Sequence, residues 1–367
     1  MKMRPLSILS FIKGSFSKML PMIITVSLSV AILYFMVMFV EKLQSQSNEV
    51  MVYPSQNMSC IYGGRQGISD EDMQKINSNI GASKSFVFQY FSIKYHNLVG
   101  ATGASIMMLN KKDITSIMDM QKFELIDGKL PEKPKEIIIH KSLALDFGLK
   151  VGSVVKKNTK DWYFDEDTKI VGIFEGKAVM GIGMEDESWL RLGEPYVSLA
   201  IGGDKNSLKS LNEYIETKLS KKYSISTLNT ESNFVEKFTA PIKAMELFIG
   251  IILVCVIGVF LVNITNIQYS VRRKELELLH AIGYTRKYIL KKSLSEIGVA
   301  AFIGYLGGIT LTIAIGWGIN ICFLNERGLG FHLIMVKSMF IMLLVPLAIT
   351  LFSIKAPFKL TKFRDIV

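Results

Sequence analysis

The chain has 367 residues, 49% of them hydrophobic, with 43 Lys and Arg against 32 Asp and Glu and a formal net charge of +11; its mean hydropathy is +0.32. Soluble domains of this length are rarely so apolar, which points to a membrane protein. A basic excess alone would allow nucleic acid, but residues 41–240 hold 25 basic and 26 acidic residues, leaving 18 of the 43 bases and 6 of the 32 acids elsewhere. The excess therefore flanks the apolar segments, as membrane topology requires, and argues against a nucleic-acid partner.

In chain order, residues 1–18 carry Lys2, Arg4, Lys13 and Lys18, no acid, and apolar residues at helical spacing. They read as a cytoplasmic amphipathic helix on the inner leaflet, with an ordinary positive flank of a first span as the plainer alternative. Residues 19–40 contain no charge and suffice to cross a bilayer. The run is long for a signal peptide and lacks a small-residue cleavage site. Three further spans are expected at 242–267, 294–323 and 333–354. The N-terminus, the loop 268–293 and the tail 355–367 are all basic, so both ends face the cytoplasm of a multi-pass cell-membrane protein and residues 41–240 lie outside.

That outer block is large enough for its own core. Strands are expected at Phe86–Val99, Ala101–Leu109, Glu136–His140, Ser153–Lys157, Thr168–Phe174, Tyr196–Ile201 and Tyr223–Leu228. Helices are expected from Ser69, which opens a turn rich in acids, and over Ser207–Leu219. The fold class is thus an α-helical membrane bundle of four transmembrane helices plus an α+β extracytoplasmic domain inserted between spans 1 and 2. Residues 230–241 enter the second span without a glycine break, so a stalk helix continuous with that span is expected; Pro241 would kink it or cap the membrane entry.

Much enzymatic chemistry is missing from the sequence. There is no GxxxxGK[ST] loop, no HExxH, no GxSxG and no CxxC; the four His and three Cys share no ligand spacing. The chain is read as a non-enzyme with no metal site and no cofactor of its own.

The most informative stretch is Tyr269–Gly308. Arg272, Arg273, Lys274, Arg286, Lys287, Lys291 and Lys292 form a basic patch, and Leu276, Leu279 and Ile282 supply an apolar face at helical spacing. Arg272, Lys274, Glu275, Ala281, Gly283 and Glu296, with Gly304, Gly307 and Gly308, are similar to the signature of FtsX/MacB-like ABC-transporter permeases, with Lys274 where Arg is usual. Residues 126–176 also resemble the MacB-like extracytoplasmic core in their Gly-Leu-Lys-x-Gly and Val-x-Gly-Ile-Phe segments. The resemblance implies a permease subunit that transmits the motion of a separate ATPase to the outer domain. The coupling helix would comprise Arg272, Arg273, Lys274, Glu275, Leu276, Leu279, Ala281, Ile282, Gly283, Arg286 and Lys287; composition alone would allow a plain basic loop.

On this reading ATP and Mg²⁺ belong to the partner ATPase dimer. The other expected partners are a second permease copy or paralogue, membrane lipid, and an extracytoplasmic adaptor, substrate-binding protein or hydrolase. Gly304, Gly307 and Gly308 form a small-residue face for helix packing, within the chain or in a dimer. Glu296 either caps a helix N-terminus or pairs with a Lys. The function implied is export or extraction of peptide, antibiotic, lipoprotein or envelope substrates; the alternatives are an FtsX-type regulator of a cell-wall hydrolase and a peptide sensor.

Overall fold

The computed structural model describes residues 8–79, 84–157, 159–164, 166–186, 190–191, 193–204, 206–271 and 273–352. The expected tail 355–367, residues 1–7 and Arg272 lie outside the described residues. In order the elements are α1 (Ile8–Ser47), β1 (Met58–Tyr62), α2 (Asp70–Asn79), β2 (Lys84–His96), β3 (Ala101–Leu109), α3 (Lys111–Gln121), β4 (Glu124–Gly128), β5 (Glu136–His140), α4 (Lys141–Phe147), β6 (Val154–Val155), β7 (Thr168–Glu175), β8 (Gly181–Met184), β9 (Val197–Gly202), α5 (Ser207–Tyr214), β10 (Ser224–Ser226), α6 (Leu228–Val271), α7 (Arg273–Ala281), α8 (Arg286–Ile319), α9 (Val336–Met342) and α10 (Leu344–Phe352). Contacts divide the chain into two units: Met1–Val40 with Ile242–Ile319 and Phe331–Val367, and Glu41–Pro241 with Asn320–Gly330.

The helical unit is built on apolar runs. Among the described residues three segments are long and apolar enough to cross a membrane: Met19–Val52, Leu228–Ile267 and Lys287–Arg327. The fourth expected span takes a different form, two short helices, α9 and α10, with an apolar stretch limited to Val336–Ala348. The break at Leu343 has a local cause: Pro346 lacks an N–H, and its ring would collide with the carbonyl of Met342 if one helix ran through. Pro241 is accommodated inside α6, which is unbroken from Leu228 to Val271.

The other unit is α+β. Its strands follow the order β10-β1-β9-β2-β3-β8-β5-β7-β4, with β6 on β7. Pairing is antiparallel except for β3 with β8 and β5 with β7. Alternation along β2 and β3 sends Phe86, Phe88, Met107 and Leu109 to one core, and Ile93, Tyr95, Ala104, Ile106 and Met108 to another. β5 is buried on both faces, which explains its uninterrupted Ile137, Ile138 and Ile139. A third cluster packs α2 and α5 on β1 and β9 through Ile68, Ile76, Leu199 and Leu211.

Candidate functional site

The stretch singled out in the sequence folds as helix, turn and helix. α7 ends in a Schellman motif: Tyr284 N–H donates to the Leu279 carbonyl at 3.2 Å and Gly283 N–H to the His280 carbonyl at 3.0 Å. Gly283 has φ +100°, a conformation costly for other residues, while the space around a Cβ there is open. Two residues on, Thr285 starts α8 by accepting from Tyr288 N–H (2.9 Å) and Ile289 N–H (3.1 Å) at its carbonyl. The Ala-x-Gly interruption is therefore a paired stop and start, and His280 Nδ1 lies 3.2 Å from the Tyr284 carbonyl across it.

Most of the polar residues named from sequence sit on the surface here. Arg273, Lys274, Glu275, Ala281, Gly283 and Lys287 are exposed, and Arg273 Nε pairs with Glu277 Oε1 at 2.8 Å, one turn along. The side chains of Leu276 and Arg286 lie outside what the structure describes. Of the expected apolar residues Ile282 is exposed, and Leu278, which the sequence reading did not single out, is exposed beside it. Leu279 is half-buried, whereas Leu278 is 61% and Ile282 67% exposed. These two stand at i and i+4, one above the other on the helix. Beyond the turn, Tyr284 and Tyr288 stack with ring centroids 5.2 Å apart, while Ile289 is buried. Leu278 was missed from sequence because 276, 279 and 282 also fit a helical repeat; its burial partner, or lack of one, decides between the two faces.

Gly304, Gly307 and Gly308 of α8 face α1 within the helical unit. A Cβ on Gly304 would stand 2.7 Å from Val26 Cβ, one on Gly307 2.5 Å from Ser27 Oγ, and one on Gly308 2.6 Å from the Ser27 carbonyl. Such contacts leave no room for a side chain, so this face serves packing inside the chain. Hydroxyls seal the crossing: Ser27 Oγ donates to the Gly304 carbonyl at 2.9 Å and Thr312 Oγ1 to the Ala31 carbonyl at 3.0 Å. Glu296 cannot cap the helix, because α8 begins at Arg286. It is buried in the interior of α8, with Lys292 Nζ at 3.9 Å on the preceding turn.

Among the described residues no group of three or more His, Cys, Asp or Glu could hold a metal ion. His140 is structural: Nδ1 accepts from Ser142 N–H and caps α4, Nε2 donates to the Gly176 carbonyl, and burial pushes the imidazole below its ordinary pKa. His96 is half-exposed beside Asp146, 3.0 Å away.

Residues 247–366 match the family described as FtsX-like permease C-terminal. A macrolide export ATP-binding/permease protein, MacB, from Mannheimia succiniciproducens is 32% identical over 114 residues, covering 31% of this chain and 18% of that protein. The match thus spans less than a fifth of this relative's length. Among solved structures, the periplasmic region of MacB from Actinobacillus actinomycetemcomitans aligns at 11% identity over 50% of this chain and 94% of that one, with a TM-score of 0.29. The extracellular domain of the noncanonic ABC-type transporter YknZ from Gram-positive bacteria aligns at 14% identity over 42% and 88%, with a TM-score of 0.28. The C-terminal third of this chain is FtsX-like.

Proposed function

We infer that this chain, FtsX-like over its C-terminal third, is the transmembrane permease subunit of an ABC transporter and passes ATP-driven motion from a separate ATPase to the α+β unit. The observation that carries the reading is α7: a short charged helix, with Arg273 and Lys274 beside Glu275 and Glu277, stopped by a glycine motif at one end, that leaves Leu278 and Ile282 exposed side by side. Buried aliphatic anchors ringed by charge are what a helix needs to seat in a groove of another protein. α6, running from Leu228 through the apolar segment to Val271, is the connecting element that would carry the motion. A folded unit of about 200 residues favours a peptide, antibiotic, lipoprotein or envelope partner over a small hydrophilic solute. Both chain ends and α7 would face the cytoplasm. ATP and Mg²⁺ would bind on the partner.

The test is co-purification with the cognate ATPase in detergent, comparing the unmodified chain with Leu278→Glu/Ile282→Glu. Replacing two anchors by charges is expected to weaken capture at least about tenfold, given ~1–2 kcal/mol for each buried anchor. Val99→Glu, on an exposed turn of the α+β unit, should capture the ATPase as before. Undiminished capture by the double variant, correctly inserted, removes α7 as the docking element. ATPase stimulation by a cell-wall hydrolase in place of a transported compound would turn the function from transport to regulation.

A further inference from the structure

The α+β unit contains a cleft of about 860 Å³ that the permease reading does not use. This is within the range of small-molecule sites, which run from about 300 to 1,000 Å³. Its wall comes from separate elements: the Pro54–Gln56 turn, the first residue of β2, the C-terminal end of α3, the loop after β7 and the end of β9. Phe86, Met120 and Tyr53 give it an apolar lining, and Lys84, Lys122 and Lys177 bring three cations to it from three elements. All three lysines are exposed, and none has an ion-pair partner among the described residues.

Two carboxylates share the cleft, and one is already committed. Asp204 accepts from Ser207 N–H at 2.8 Å at the start of α5, and hydrogen bonds from the Ser207 side chain and backbone hold it below the ordinary carboxylate range. Those hydrogen bonds keep Asp204 ionised, so the cleft sets two carboxylates, Asp119 and Asp204, against three ammonium groups, a formal excess of one positive charge.

The placement of Lys122 is the second observation. α3 ends in a Schellman motif, with Phe123 N–H on the Met118 carbonyl (2.9 Å) and Lys122 N–H on the Asp119 carbonyl (3.1 Å). The left-handed residue that closes it, φ 56° and ψ 47°, is Lys122. Where the same motif closes α4 and α7, the chain uses Gly148 (φ 63°) and Gly283 (φ 100°). A side chain at such a position costs about 1 kcal/mol relative to glycine. At Lys122 the chain bears that cost and sets an ammonium group at the cleft.

We propose that this cleft binds a small amphipathic anion, an aromatic or acyl body bearing a carboxylate or phosphate, with the body on Phe86, Met120 and Tyr53 and the charge on Lys84, Lys122 and Lys177. The site needs no ATPase, so its failure would leave the permease assignment standing.

The test uses the full chain in nanodiscs of zwitterionic phosphatidylcholine, with the soluble aromatic trisulfonate pyranine as probe and its fluorescence anisotropy as readout; empty nanodiscs give the background. Saturable binding is expected, weakened at least about tenfold in Lys84→Gln/Lys177→Gln and unchanged in Lys150→Gln, a surface lysine outside the cleft. Lys122→Gly separates ligand binding from fold: it should match or exceed the parent in thermal stability while binding more weakly. Competition by N-acetylphenylalanine or by hexyl phosphate then identifies the headgroup as carboxylate or phosphate. The proposal is overturned by any of three results: no saturable binding above empty discs, equal weakening by Lys150→Gln, or a Lys122→Gly variant that binds like the parent or loses stability. Pyranine binding that neither competitor displaces overturns it as well.

Discussion

Gly283 and Gly308 are both glycines of the FtsX-like signature, and the structure requires them for opposite reasons. At Gly283 the backbone is left-handed and the space beyond is empty; at Gly308 the backbone is helical and the Ser27 carbonyl would stand 2.6 Å from a Cβ. Gly283→Ala should therefore cost about 1 kcal/mol, confined to the α7 turn and visible as faster hydrogen exchange at Tyr284 N–H. Gly308→Ala has to push α8 off α1 and should cost ~1–3 kcal/mol, read as a lower global melting temperature in detergent. Equal effects on both readouts would contradict this division. A third residue-scale prediction concerns Asp72, whose Oδ2 accepts from Lys222 Nζ, Tyr223 Oη (2.7 Å) and Ser69 Oγ (2.7 Å). Hydrogen bonding by Lys222 first, then Tyr223, pulls its carboxyl down to about 2. The folded value lies below the unfolded one of roughly 4, so the contribution is complete above about pH 4 and disappears as pH falls towards 2. Asp72→Asn should lower the denaturation midpoint at pH 7 and leave it nearly unchanged near pH 2; a difference that persists in acid would mean the loss is one of packing.

At the scale of elements, legibility followed the strength of the local signal. β3 and β5 have the residue bounds expected from sequence, because alternation in one and a run of isoleucines in the other are unambiguous. β8 was missed because Gly181-Ile182-Gly183-Met184 reads as a turn. Its glycines are there for packing: a Cβ on Gly183 would stand 2.3 Å from Met108 Sδ and 2.6 Å from Ile137 Cγ2. β4 was missed because every residue in it is exposed, so no buried face leaves a period. The strand expected to run to Leu228 stops at Ser226 because Thr227 turns the chain into α6. Thr230 N–H donates to Thr227 Oγ1 at 3.2 Å, and Thr227 N–H to Thr230 Oγ1 at 2.8 Å. That reciprocal cap was visible in Thr-Leu-Asn-Thr, but a β-rich Tyr-Ser-Ile-Ser before it dominated the reading. The α7 site divides the same way. Its glycine stop is a sequence-local property and could be read, while the difference in exposure between Leu278 and Leu279 is set by tertiary packing, which no local pattern encodes.

Charge placement over the whole molecule makes the last prediction. Eighteen bases and six acids lie outside residues 41–240, whereas that block is nearly neutral, and basic loops resist translocation. If both ends and α7 lie inside, as proposed, a cysteine on the turn between β2 and β3 is reachable from outside and one at the end of α7 is not. The native thiols permit the experiment. Cys60 is buried, and burial pushes it up to about 12, so it is unreactive, while the exposed Cys255 and Cys322 can be replaced by alanine. In that background Val99→Cys, at a site 65% exposed, should take up a membrane-impermeant maleimide in intact spheroplasts. Ile282→Cys, at a site 67% exposed, should label only after permeabilisation. The two positions are equally open to reagent, so a difference in labelling reports the side of the membrane and not burial. Labelling of Ile282→Cys in intact spheroplasts would put α7 outside, away from any cytoplasmic ATPase, and the coupling role would fall with it. The same result would leave the anion cleft untouched, because that site is defined wholly within the α+β unit.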